Sequence, residues 1–576
     1  VAIVVGPVVV WGAACAWLLA DAAGSLDQGA DQLRAVRSQA TVRQLLAPET
    51  GEDLDAAGRS FADADATLAN PILAPLRLLP VAGRHLRAAD RLASAGTAGV
   101  DIAVGVVDDL DELADQPQDG GAQRLAALDQ LVVTAERAGS DLAALEVGSP
   151  DALIGPLSTA VAQVDEQRAD AERGAGSLAA ASRALATVLD GPEPYLLLGA
   201  NNAEMRAGTG MFLSAAELRF DGGELELGEV EATSELVLPE GAVAVDGDLA
   251  ANWPWLDVGR DLRNLGLSAD FPQSAEVAVA NWAQVAPDRP VAGVIAIDVD
   301  GLRGLLRAVG PVEVDGVTYT ADTVRGELLR AQYRRFGDDR DARRDQLGAV
   351  AGAVFAKVEA GDWAFEDLAV ELADAVAGRH LIIWSADETV QQAWRDVGAD
   401  GRLRADSLSV ALVNRSATKL DSWIESDLVV VVDPAGAGAG SGAGAGAERT
   451  IEVTATFTND APEDGPPYLV GPNVDGLAAG DHRGLVVVNL PAGARDVTMD
   501  GARLFLEGGD GPTTVVAGEL DVARGEQATV TVTATLPSSV AQLTLEPTAR
   551  VPRSRWQVLG ETYDRDRRRT VDLAAG

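Results

Sequence analysis

"YLLLGANNAEMRAGTGMF", Tyr195 to Phe212, is the stretch on which the reading of this chain turns. Its first half is an apolar run of strand character; its second is a polar cluster closed by glycines. Open α/β sheets place ligand crevices where strands end, so Asn201, Asn202, Glu204 and Arg206 are candidate ligand-binding residues. Gly208 and Gly210 would let backbone approach a ligand closely. The same residues also suit an Asn/Gly turn in which Glu204 and Arg206 pair with each other or with water.

Outward from this point, strands and helices alternate. "VAGVIAID" (Val291 to Asp298) and "HLIIWSAD" (His380 to Asp387) read as buried strands, and "DGLRGLLRAVG" as a helix stopped by Gly310 and Pro311. "MFLSAAELRFDGGELELGEV" and "VEVDGVTYT" read as hairpins. This mixture predicts an α/β domain, an α/β/α sandwich, over residues 191–433. Upstream, Leu26, Leu33, Val36, Leu125, Leu128, Leu131 and Val132 fall at helical spacing, which predicts an α-helical stalk or bundle over 23–190. Downstream, a Gly/Ala linker or loop (434–447) precedes short alternating strands over 448–576, the pattern of an antiparallel β-sandwich.

Residues 1–20, "VAIVVGPVVVWGAACAWLLA", carry no charged side chain, and ~20 apolar residues suffice for a membrane helix. They predict a single-pass anchor at 1–22 in the plasma membrane. Asp21 and Asp27 precede the first arginine, Arg34, so the bulk of the chain is expected to be extracytoplasmic. The rival reading is a signal peptide cut near Ala20-Asp21-Ala22.

The net charge of −42 argues against non-specific nucleic-acid binding and requires that any anionic ligand meet a local arginine cluster. One such cluster exists: Arg325, Arg330, Arg334, Arg335, Arg340, Arg343 and Arg344 fall within one short segment. Guanidinium forks suit phosphate oxygens, and equally suit pairing with Glu327, Asp338, Asp339 and Asp341. "GRDLRNLGLSADFPQSA" adds Arg260, Asp261, Asn264 and Asp270, of which the two carboxylates could ligate a hard cation or, for Asp270, cap the helix that Pro272 begins. Trp253, Trp255 and Trp282 are either core or stacking surfaces for sugars or an isoprenoid. The single cysteine, Cys15, and three dispersed histidines speak against a disulfide or a zinc site.

The motifs "YLLLGANNAEMRAGTG", "NLGLSADFPQSAEVAVANW", "VAGVIAIDVDGLRGLLRAVGPVEVDG" and "RGELLRAQYRRFGDDRDARRDQL", in this order, resemble an uncharacterised family of membrane-anchored bacterial proteins. That family is distantly similar to the LytR–CpsA–Psr envelope phosphotransferases. "FTNDAPEDGPPYLVGP" resembles the same family's C-terminal region. The resemblance implies a polyprenyl-pyrophosphate-linked cell-envelope glycan as ligand, peptidoglycan as a partner, the membrane nearby, and magnesium as cofactor. Arg206, Asp261 and Arg343 would then be catalytic. Asn201, Asn202, Glu204, Arg260, Asn264, Arg330, Arg334, Arg340 and Arg344 would bind substrate, and Asp261 and Asp270 would hold the metal. The chain departs from the phosphotransferase pattern after Arg206, where Ala207-Gly208-Thr209 stands in place of a metal-binding aspartate. Phosphotransfer, a non-catalytic glycan-binding module and a structural scaffold therefore all stay open.

Overall fold

In a computed structural model, the described residues are 2–39, 48–114, 116–337, 339–434, 448–564 and 566–573, the side chains of 2–10, 36–39, 48, 340, 345 and 434 excepted. The chain divides into two compact units: residues 1–118, 122–186 and 364–370, and residues 119–121, 187–363 and 371–576.

The first unit is helical. Its long helices are α1 (Ala2–Gln39), α2 (Pro48–Leu68), α3 (Pro80–Ala114), α4 (Gly121–Ala144) and α5 (Pro156–Asp190). Among the described residues no helix is long and apolar enough to cross a membrane, which corrects the expected anchor at 1–22 and the single-pass, extracytoplasmic placement built on it. The apolar start of α1 runs unbroken into the acidic stretch of Asp21, Asp27 and Asp31. Its Cys15, Leu18 and Ala22 pack on Ala64, Leu68, Leu73, Leu86 and Ala93, and Trp11 Nε1 donates to Ile72 O at 3.0 Å. Protein helices thus cover Cys15, Leu18 and Ala22 of this helix, while Trp17 and Leu19 stay exposed.

The second unit is mixed α/β with a C-terminal β-sandwich. Its first sheet contains β1 (Tyr195–Met205), β2 (Gly210–Asp221), β3 (Glu224–Leu227), β4 (Glu231–Ala232) and β5 (Gly293–Asp298). A hairpin of β6 (Val312–Val314) and β7 (Val317–Tyr319) intervenes before the last member, β8 (Leu381–Ser385). The strand order is β3-β2-β1-β5-β8; β1 and β5 run parallel, and the β1–β2 and β5–β8 pairs antiparallel.

Side chains of β1 alternate between two faces. Leu196, Leu198 and Ala200 join a core with Ala275, Ala278 and Trp282 of α6 (Phe271–Val285). Leu197, Gly199 and Asn201 face a cavity also lined by Leu347, Ala351 and Phe355 of α8 (Arg340–Ala360). Between these helices in sequence lies α7 (Val299–Val309), capped by Asp298, whose Oδ1 accepts from the backbone of Asp300 and Gly301, both at 2.9 Å.

The sandwich is built from β9 (Ser407–Asn414), β10 (Ile424–Pro434), β11 (Arg449–Asn459), β12 (His482–Leu490), β13 (Arg495–Asp500) and β14 (Arg503–Asp510). β15 (Thr513–Val522), β16 (Gln527–Leu536), β17 (Gln542–Leu545), β18 (Arg555–Val558), β19 (Glu561–Tyr563) and β20 (Arg569–Asp572) complete it. Its sheets are ordered β13-β16-β11-β10-β18-β19 and β14-β15-β12-β9-β17-β20. The Gly/Ala run, 435–447, lies outside the described residues, and the strands on either side of it, β10 and β11, pair antiparallel with each other. The sheets therefore take strands from both sides of the border read at 433.

β9 and β12 are buried on both faces. Leu408, Val410, Leu412, Val486 and Val488 fill the interior of the sandwich. Ala411, Val413, Leu485 and Val487 point the other way and share one core with β1 and α6. Burying one such side chain is worth roughly 1.5–3 kcal/mol, so this second face firmly joins sandwich and α/β sheet.

Candidate functional site

The polar end of β1 is buried and engaged residue by residue. Asn201 Oδ1 accepts from Ala203 N at 2.9 Å, and its Nδ2 donates to Tyr333 Oη at 2.6 Å. Asn202 Nδ2 donates to Asp298 Oδ2 at 2.6 Å and to Ala549 O at 2.7 Å. Glu204 forms an ion pair with Lys419, and both are almost fully buried. Arg206 donates to the carbonyls of Arg263, Met205 and Asn414 at 3.3, 3.1 and 3.4 Å. Burial, with Arg415 nearby, lowers the Arg206 pKa to about 10. The glycines are filled by the protein itself: a Cβ on Gly210 would sit 2.5 Å from the Asn201 carbonyl carbon, and one on Gly208 2.9 Å from Ser268 O.

The loop between β9 and β10, residues 415–423, is the hub that the sequence reading missed. Lys419 lies 5.0 Å from the Tyr468 ring centroid and 5.9 Å from that of Tyr333. Burial lowers its ammonium to about 7, against the opposing charge of Asp421. Asp421 accepts from Met205 N at 3.1 Å and Asn414 Nδ2 at 2.6 Å, and lies 3.3 Å from His482 Nε2 and 3.5 Å from an Arg550 nitrogen. Burial pushes its carboxyl up, but His482, Arg550 and Asn414 outweigh this and hold it below the usual range.

The arginine segment divides. The Arg343 guanidinium stacks 4.4 Å from the Tyr468 centroid, donates to Gly337 O and meets no carboxylate among the described residues. Arg330 donates to Ser422 Oγ at 3.2 Å and to Ser422 O, over the Trp423 ring. These two meet the hub. Arg334 is turned to Asp464, Arg344 to Glu235, Arg335 to Glu327 and Arg325 to Asp300. The Arg340 side chain lies outside the described residues. A π-helical turn, Glu327–Ala331, interrupts this segment, a feature common at functional sites.

The candidate metal ligands are committed elsewhere. Both oxygens of Asp261 accept from the Arg263 guanidinium. Asp270 occupies the N-cap position of α6, yet its Oδ1 accepts from Leu403 N at 2.8 Å and its Oδ2 from Gln273 at 3.3 Å. No cluster of three or more His, Cys, Asp or Glu able to hold a metal occurs among the described residues. Arg260 is spent on Leu238 O and Asn264 on Leu256 O. Trp253 and Trp282 are core, whereas Trp255 is 51% exposed.

Residues 190–333 match a family described as a protein of unknown function, DUF4012. The match takes in Asn201, Glu204, Arg206, Arg330 and Tyr333 but stops short of Arg343, Lys419 and Tyr468. No curated protein and no solved structure matches the chain. Chemically, the arrangement offers buried cations held against aromatic rings, suited to gripping an oxyanion.

A second buried cluster lies at the other side of Asn202. His380 Nδ1 is 2.7 Å from Asp298 Oδ2 and its Nε2 is 2.9 Å from Asp566 Oδ2. Burial opposes a charge on the imidazole, but the two carboxylates prevail and raise its pKa well above the ordinary value.

Proposed function

We propose that the second unit binds an amphipathic anion, a polyprenyl-phosphate-linked glycan, and holds it without metal-assisted transfer. The observation that carries this reading is the cavity of about 70 Å³ under β1. Leu197, Leu213, Ile297, Leu302, Leu347 and Phe355 give it an apolar wall, and Asn201, Ser214, Asp298 and Gln332 are the polar residues of its lining. Asn201 also belongs to the Tyr333–Lys419–Tyr468–Arg343 cluster, so space for hydrocarbon and a grip for phosphate share a residue. A volume of this size holds only a few waters, so a lipid chain enters only as α8 moves off the sheet. The π-turn that supplies Leu328 to the lining is the irregular backbone at which such movement would start. Helices on both faces of the sheet support the finer reading of an α/β/α sandwich akin to the LytR–CpsA–Psr fold. The commitment of Asp261 and Asp270 to other partners favours binding over transfer.

The test is binding of polyprenyl phosphate by the full chain, with and without magnesium. Ala351→Phe, which narrows the cavity, and Arg343→Ala, which removes a cation, should each weaken binding about tenfold or more, and magnesium should change nothing. Unchanged affinity in both folded variants would refute the reading.

A further inference from the structure

Trp255 stands apart from the apolar residues around it. The 3-10 turn Pro254–Leu256, followed by Asp257 in the left-handed region at φ 47°, holds its indole out into solvent. Trp253, 2% exposed, anchors the turn and meets the Trp255 ring edge-on, with centroids 6.3 Å apart at 62°. The exposed indole is therefore braced in a fixed pose. Over it, 4.8 Å from the ring centroid, lies the guanidinium of Arg415, placed by a backbone bond from Arg415 N to Arg483 O at 2.9 Å. Among the described residues this guanidinium makes no hydrogen bond and no ion pair. Burial lowers its pKa, with Glu519 opposing. In a chain of net charge −42, this positioned cation forms no ion pair of its own, since Glu519, whose charge acts on it, pairs with Arg483 and Arg503.

We propose that Trp255 and Arg415 form a saccharide subsite for an acidic sugar. The flat C–H face of a pyranose stacks on an indole, and a guanidinium fork takes a carboxylate or phosphate oxygen pair in two parallel bonds. Stacking on the ring also presets the plane of the fork, which an ammonium would lack. Arg415 is the charge that most perturbs the buried Arg206 at the end of β1, which sets this subsite beside the cluster assigned to phosphate. The inference rests on the proposed glycan ligand for the identity of the whole molecule, and supplies the sugar end of it.

The experiment uses lipid-free probes, so that it reads this subsite and not the cavity. The full chain is titrated calorimetrically with oligogalacturonate, with a sugar-1-phosphate, and with a neutral galactose oligomer, at millimolar concentrations. Binding of either acidic probe over the neutral one is expected, and which of the two binds identifies the oxyanion as carboxylate or phosphate. Trp255→Ala should weaken that binding about tenfold, while Trp255→Phe retains most of it. Arg415→Met should abolish the preference for the acidic probe, and Arg415→Lys should restore only part of it. Absence of acidic-probe binding, equal binding of the neutral oligomer, or binding untouched by both Trp255→Ala and Arg415→Met would overturn the proposal. Loss of polyprenyl-phosphate binding in Ala351→Phe is scored separately, so either proposal can fail alone.

Discussion

Replacing His380 by Gln tests the clasp that joins the C-terminal segment to the α/β sheet. The imidazole is held between Asp298 and Asp566, with Asp300 at 3.7 Å, Arg325 paired to Asp300, and Arg303 close by. His380 has a folded pKa raised above its unfolded one. Its contribution is thus complete below the ordinary value of ~6.5 and is lost as pH rises through the folded value. Between those limits each pH unit removes about 1.4 kcal/mol. Asp300 has the opposite sign. Burial pushes it up, but Arg325 and His380 prevail and hold it below the usual range, so its contribution is lost on acidification. Breaking a buried pair by removing one partner costs ~3–5 kcal/mol. His380→Gln should therefore lower the unfolding free energy of the second unit, read from urea titration, by about 3–5 kcal/mol near pH ~6, with the gap to the wild type narrowing as pH rises from there. A gap constant over that rise would mean that the imidazole is neutral in the folded protein, and the reasoning would fail.

Lys419→Met and Glu204→Gln should each destabilise by ~3–5 kcal/mol, because each strands a buried charge. The double variant should recover much of that loss in a double-mutant cycle of thermal unfolding. Arg206→Ala should lower stability by a few kcal/mol through the loss of three carbonyl partners, and should reduce ligand affinity only in step with that loss. A large affinity drop at unchanged melting temperature would show that Arg206 contacts the ligand. Gly210→Ala should cost roughly 1–3 kcal/mol at unchanged charge, since its Cβ would meet the Asn201 backbone and force a shift of the β1–β2 bulge; an unaltered melting temperature would contradict that packing.

The strands were legible because period-two burial and Gly/Pro punctuation are local signals: β1, β5 and β8 fall where their apolar runs stand. The polar end of β1 was legible as a cluster, but its partners were not. Glu204 meets a lysine 215 positions away, and Asn202 meets a carbonyl 347 positions away. Two signals pointed there. Lys419 is one of only two lysines among 46 basic residues, and two of the three histidines, His380 and His482, are buried against carboxylates. The anchor reading failed because a valine- and alanine-rich helix carries the same apolar density whether lipid or other helices cover it. In the arginine segment Arg330 and Arg334 stand four positions apart, yet the first turns to Ser422 and the second to Asp464.

The core shared by β1, α6, β9 and β12 bears on what counts as a piece of this protein. The segment that matches the unknown-function family, 190–333, contains β1, β5 and α6 but none of β8, β9, β12 or β15. Isolated, it would present to water the side chains that Val413, Leu485, Val487, Val515 and Ala517 cover in the whole chain. A chain severed within 435–447 would behave differently. Its halves would each carry a complementary share of two cores and one strand of the β10–β11 pair. Two separately expressed polypeptides ending and starting there should reassemble, which makes this run the natural seam for a split version of the protein.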